Sequence, residues 1–90
     1  MQMTIFSQQG GHKLRQLRQE LGFSLQDVCR ESASIAARYQ NRNLVIRLDV
    51  LSRIETTGQL PNVYCVYALA VIYRCQLLEI VRFYGLDLPR

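Results

Sequence analysis

The chain has no tryptophan and a single histidine, His12, in its ninety residues. His12 has no serine, cysteine or carboxylate at motif spacing. No glycine-rich phosphate loop, metal-ligand cluster or carboxylate pair accompanies it. The expectation is a non-enzyme that needs no cofactor, metal or small-molecule substrate. Disulfide-forming cysteines are scarce as well. Cys29, Cys65 and Cys75 are odd in number and lack C-x-x-C spacing, which argues against a disulfide framework or a zinc site. They read as small buried hydrophobes. Long apolar runs are missing too, because charges interrupt each one well before the thickness of a bilayer. The N-terminus carries no basic-then-apolar targeting pattern. A cytoplasmic protein without membrane contact is expected.

What is present begins with an apolar share of 49%, enough for the single core of one small domain. Acids are few where bases are many. The net charge is +4 and the pI about 9.3. Arg38, Arg42, Arg47 and Arg53 fall within sixteen residues whose only acid is Asp49. A basic centre of this kind suits a polyanionic partner.

Apolar spacing predicts five helices. Residues 1–10 show no clear period and read as a loosely held arm. Leu14, Leu17 and Leu21 make the stripe of a first helix over about 11–21, with Gly22 as its stop. Ser24 should cap a second helix, with Asp27 completing a capping box. Leu25, Val28, Cys29, Ser32 and Ile35 or Ala36 form its inner face, and it runs to about Tyr39 or Gln40. A polar break at 41–43 precedes a β-prone run over 44–48. Burial of Leu44, Val45 and Ile46 on the domain's own core is the first expectation, and pairing across a twofold axis the second.

Asp49 is the predicted N-cap of a third helix, which Leu51 and Ile54 anchor and Gly58 ends. Asn62 should cap a fourth helix over about 63–73, with Val63, Val66, Leu69, Ala70 and Tyr73 inward. Tyr64 and Tyr67 fall on another face. A fifth helix over about 76–84 carries Leu77, Ile80, Val81 and Tyr84, and Gly85 ends it. Tyr67, Leu78, Phe83 and Leu86 are left over as a candidate dimer patch.

Several of these stretches resemble one known family. Residues 51–55, Leu-Ser-Arg-Ile-Glu, followed by Gly58 and Pro61, are similar to the end of the recognition helix in Cro/C1-type (XRE-like) repressors. The segment from Lys13 to Leu25 resembles that family's opening helix and its entry into the second. Pro61-Asn62-Val63, Leu69-Ala70 and Cys75-Gln76-Leu77 resemble its two closing helices. The resemblance implies an all-α, five-helix, lambda-repressor-like DNA-binding domain over 11–85, followed by a tail over 86–90. It departs from the family at about 36–48, where a short extended insertion separates helices 2 and 3 in place of a tight glycine turn.

The resemblance also implies a function and its residues. The function is a sequence-specific transcriptional regulator that binds double-stranded DNA as a homodimer, with helix 3 over about 49–57 in the major groove. Arg47, Val50, Ser52 and Arg53 are the base-reading candidates. Lys13, Ser24, Gln26, Arg38, Arg42, Thr57, Gly58, Gln59 and Asn62 are the phosphate candidates. Arg18 and Glu55 match a structural ion pair that ties helix 1 to helix 3. A competing expectation is a protein-interaction module on the same scaffold, an adaptor or antitoxin-like subunit.

Overall fold

The structure, a computed structural model, describes residues 5–85, with side chains apart from those of 5, 6, 77 and 78. Within it the chain is all-α: five helices carry the fold and two very short strands tie its first end down. These are β1 (Ile5–Phe6), α1 (Gln8–Glu20), α2 (Leu25–Arg38), α3 (Leu48–Thr57), β2 (Gln59–Leu60), α4 (Val63–Ile72) and α5 (Leu77–Phe83). A 3-10 turn, Arg42–Leu44, sits between α2 and α3. No helix among the described residues is long and apolar enough to cross a membrane.

The start of the chain differs from expectation. Ser7 caps α1 by accepting the Gly10 N–H at 3.2 Å, so the helix opens at Gln8 and not near residue 11. Before it, β1 pairs antiparallel with β2, Ile5 opposite Leu60 and Phe6 opposite Gln59. The Ser7 N–H adds a bond to the Gly58 carbonyl at 3.2 Å. Residues 5 to 10 therefore belong to the folded unit rather than to a loose arm.

Glycine explains how closely α1 meets α3. A Cβ on Gly11 would sit 2.5 Å from the Ile54 carbonyl oxygen and 2.8 Å from the Gly58 Cα, both of them backbone atoms. Gly58 itself closes α3 at φ 80°, and a side chain there would overlap the Ser7 carbonyl. Only glycine satisfies both the left-handed angle and the close approach.

Leu14, Val28, Ile35, Leu51, Ile54, Leu60, Leu69 and Ile80 are all buried and form one core. α4 lies at its centre: its sequence is uncharged, and six of its ten residues are buried. Three details of the expected pattern are corrected here. Leu21, expected on the core stripe of α1, is exposed past its end. Val63, expected inward, is 45% exposed because it sits on the open first turn of α4. Only Cys65 of the three cysteines is fully buried, Cys29 and Cys75 being half-covered.

The insertion folds back onto the same core. Leu44 and Ile46 are buried while Val45 faces out. The run makes no strand. The 3-10 turn takes Leu44, and a polar anchor takes the rest. The Ser32 hydroxyl, fully buried on α2, accepts the Ile46 N–H at 2.8 Å and donates to the Cys29 carbonyl at 2.7 Å. A buried N–H without a partner costs about 1–3 kcal/mol, so this bond sets where the insertion docks.

Candidate nucleic-acid interface

The docking of Ile46 fixes where α3 begins. Arg47 is the last extended residue, φ −79° and ψ 156°, and its carbonyl accepts the Leu51 N–H at 2.9 Å. The helix thus opens at Leu48, and Arg47 occupies the cap position with no side-chain capping bond. Asp49, expected to be the N-cap, is instead in the first turn. Its carboxylate still lies at the positive end of the helix dipole. Its Oδ1 is 3.4 Å from the Arg47 Nε.

α3 has two sides. Leu51, Ile54 and Glu55 are buried, whereas Ser52 and Arg53 are exposed and Val50 is half-buried at the edge of the core. The last turn is tightened by threonine. The Thr56 hydroxyl donates to the Ser52 carbonyl and that of Thr57 to the Arg53 carbonyl, each at 2.7 Å. Such back-bonding adds a second donor to carbonyls inside the helical ladder and turns both hydroxyls back onto the helix.

The inner side is secured by a buried ion pair. Arg18 Nε lies 2.7 Å from Glu55 Oε2 and its Nη2 3.0 Å from Oε1, a bidentate fork. Its third nitrogen, Nη1, donates to the Phe23 carbonyl at 2.8 Å. The hydrogen bond to Glu55 holds the Arg18 guanidinium above its ordinary pKa, against the opposing effect of burial. Arg15 adds a looser contact, 3.6 Å from Glu55 Oε1, with half of its own side chain in solvent. Among the described residues none pairs with the buried Tyr73 hydroxyl, and burial raises its pKa.

The flanking helix starts are capped as expected. The Ser24 hydroxyl accepts the Asp27 N–H at 3.0 Å, and Asp27 accepts the Ser24 N–H at 2.8 Å. That backbone bond holds the Asp27 carboxyl below its ordinary pKa, and Arg30 reinforces the shift. The Ser24 hydroxyl adds to the same shift, and Gln26 beside it is exposed. Asn62 caps α4 through the Cys65 N–H at 3.1 Å.

Other candidates do not gather at α3. Gly58 is buried, with its N–H bonded to the Ile54 carbonyl at 2.8 Å and its carbonyl to Ser7, so it has no donor to offer a phosphate. Lys13 lines a shallow cleft with Gln16, Leu17, Glu20 and Phe83, on the α5 side of α1. Arg38 lines a separate cleft with Glu31 and Arg74 at the far ends of α2 and α4. Arg42 opens the 3-10 turn and is exposed.

Two features went unseen in the sequence. Arg15 reaches α3, which its place beside the Leu14 stripe leaves open. Pro61 joins Val50, Arg53 and Gln59 around a recess of about 90 Å³. The candidate dimer patch is divided: Tyr67 lines a groove between α2 and α4, Phe83 the α1 cleft, and the side chains of Leu78 and Leu86 lie outside the described residues.

Comparison with models of known protein families, with curated proteins and with solved structures returns no match.

Proposed function

We propose that the protein is a sequence-specific, double-stranded-DNA-binding transcriptional regulator with a lambda-repressor-like domain of the Cro/C1 type. In this reading α3 enters the major groove, and the starts of α2 and α4 hold the backbone on either side. One observation carries it: α3 is anchored by Leu51, Ile54 and the Arg18–Glu55 fork on one side, leaving Ser52 and Arg53 exposed on the other. A helix held this rigidly, with a guanidinium on its open side, has what base reading requires. Arg47, Val50, Ser52 and Arg53 are its reading residues, and Ser24, Gln26, Thr57 and Asn62 its backbone contacts, with Arg15 added. A domain this small makes few phosphate contacts, so useful affinity calls for a homodimer on a two-part site.

Fluorescence anisotropy on a selected duplex and on random duplex, at two salt concentrations, tests the reading. Arg53→Ala should lose about 1–3 kcal/mol of discrimination between the two. Arg15→Ala should weaken both alike and lower the salt slope by about one. Equal losses on both duplexes from Arg53→Ala, or no salt dependence in the wild type, would refute it.

A second reading, a protein-interaction module, has one observation of its own. Tyr39, Asn41, Leu44, Val63, Tyr64 and Tyr67 line an uncharged groove of about 330 Å³. Tyr39 and Tyr67 meet there edge to face, their centroids 6.4 Å apart. Exposed tyrosine favours interfaces. A selected partner that competes with DNA would favour this reading; one that binds alongside DNA is compatible with both.

A further inference from the structure

The recess at the open edge of α3 has two kinds of wall. Val50 and Pro61 are apolar and half-buried, whereas Arg53 and Gln59 are polar and exposed. Val50 and Arg53 lie three residues apart and so share one face of the helix. Gln59 and Pro61 arrive from the loop after Gly58, whose left-handed turn brings the chain back alongside α3. The volume, about 90 Å³, is several times the roughly 10–15 Å³ that admits a single water. That is room for a methyl group and the ring edge that bears it, and too little for a whole base pair.

The chemistry of the walls selects among major-groove edges. A guanidinium fork matches the O6 and N7 acceptors of guanine, and an apolar hollow matches the C5-methyl of thymine. The Gln59 amide matches the N6 and N7 of the adenine paired with that thymine. Neighbouring bases on one strand lie about 3.4 Å apart and residues three apart on a helix face about 5–6 Å, a difference that the long, exposed Arg53 side chain can span. Resting on the duplex-binding reading of α3, we propose that the recess formed by Val50, Arg53, Gln59 and Pro61 reads a TpG step. The thymine methyl seats between Val50 and Pro61 while Arg53 takes the guanine. Specificity is then shared between the recognition helix and the loop that follows it, and the step is read as a unit.

Selection of bound duplexes from a random pool with the full chain, then anisotropy on the best one, tests the proposal. Replacing the thymine of its TpG step by uracil removes the methyl and leaves the base pairing and the protein untouched. The wild type should lose about fourfold in affinity, the worth of one methyl buried. Val50→Ala should bind the thymine and uracil duplexes equally, and Arg53→Ala should lose about tenfold or more of the preference for guanine at the next position. A selected site without TpG, or a uracil duplex bound as tightly as the thymine one, overturns the proposal and leaves the regulator reading standing. Failure to retain any duplex at low salt overturns both.

Discussion

The α1–α3 seam and the α2–α4 flank enclose the same core, yet they are held by different means. At the seam, residue types with no substitute do the holding. Gly11 and Gly58 let two backbones touch, and the Arg18 fork closes on Glu55. At the flank, the insertion is filled in by ordinary apolar side chains, Leu44 and Ile46, and fixed by one serine hydroxyl. Its turns are not glycine: Gln40 at φ 51° and Arg74 at φ 54° take the left-handed angle in spite of their Cβ atoms. The seam is thus specified residue by residue, whereas the flank accepts strain and fills its space with whatever apolar volume is available. That division holds α3 against α1 by backbone contact and a buried ion pair, and the insertion against α2 by apolar burial and one hydroxyl.

The contrast can be broken first at the seam. Glu55→Ala would leave the Arg18 guanidinium buried and unpaired, at a cost of about 3–5 kcal/mol. Chemical denaturation that found a loss under 1 kcal/mol would remove the seam from its special place. At the flank, Ser32→Ala orphans the Ile46 N–H and should cost about 1–3 kcal/mol. Amide exchange at Ile46 should quicken with it, and unchanged protection there would show that another group anchors the insertion.

Relief of strain sharpens the comparison from the other direction. Arg74→Gly should stabilise by about 1 kcal/mol, since a left-handed L-residue costs roughly that much. A lower melting temperature in that variant would mean that the Arg74 side chain contributes more than its backbone costs. The smallest effect is at the start of α2. The Ser24 backbone N–H depresses the Asp27 pKa, so this carboxylate's stabilisation is complete above the ordinary carboxylate value. It is lost as the pH falls through the lower folded-state value, below about pH 4. Asp27→Asn should therefore lower the melting temperature slightly at pH 7, the difference closing in acid below about pH 4; a difference absent at pH 7 and present only in acid would reverse the sign.

Local rules were easiest to read where one residue type has one job. Ser24 with Asp27, Asn62 as a cap, Gly58 as a stop, and the Leu51–Ile54 anchor all stand where the sequence pattern places them. The Arg18–Glu55 contact was accessible only through resemblance, because no spacing rule joins residues 37 apart. Asp49 shows the limit of capping arguments. It is a better cap than Arg47, but the burial of Ile46 fixes the chain one turn edge earlier, and the helix starts before it. α4 hid its orientation because it has no polar stripe. A helix that is apolar all round tells nothing of which edge emerges, and Val63 emerges.

Composition, apolar period and capping residues by themselves determined a small, basic, helical domain and most of its helix ends, since those depend on neighbours within a turn or two. Only the tertiary structure decided that residues 5–6 pair with 59–60, that the insertion packs inward on Ser32, and that Pro61 and Gln59 close a recess beside Arg53. Each of these joins parts of the chain that no local preference connects. Their positions follow from how one shared core is filled.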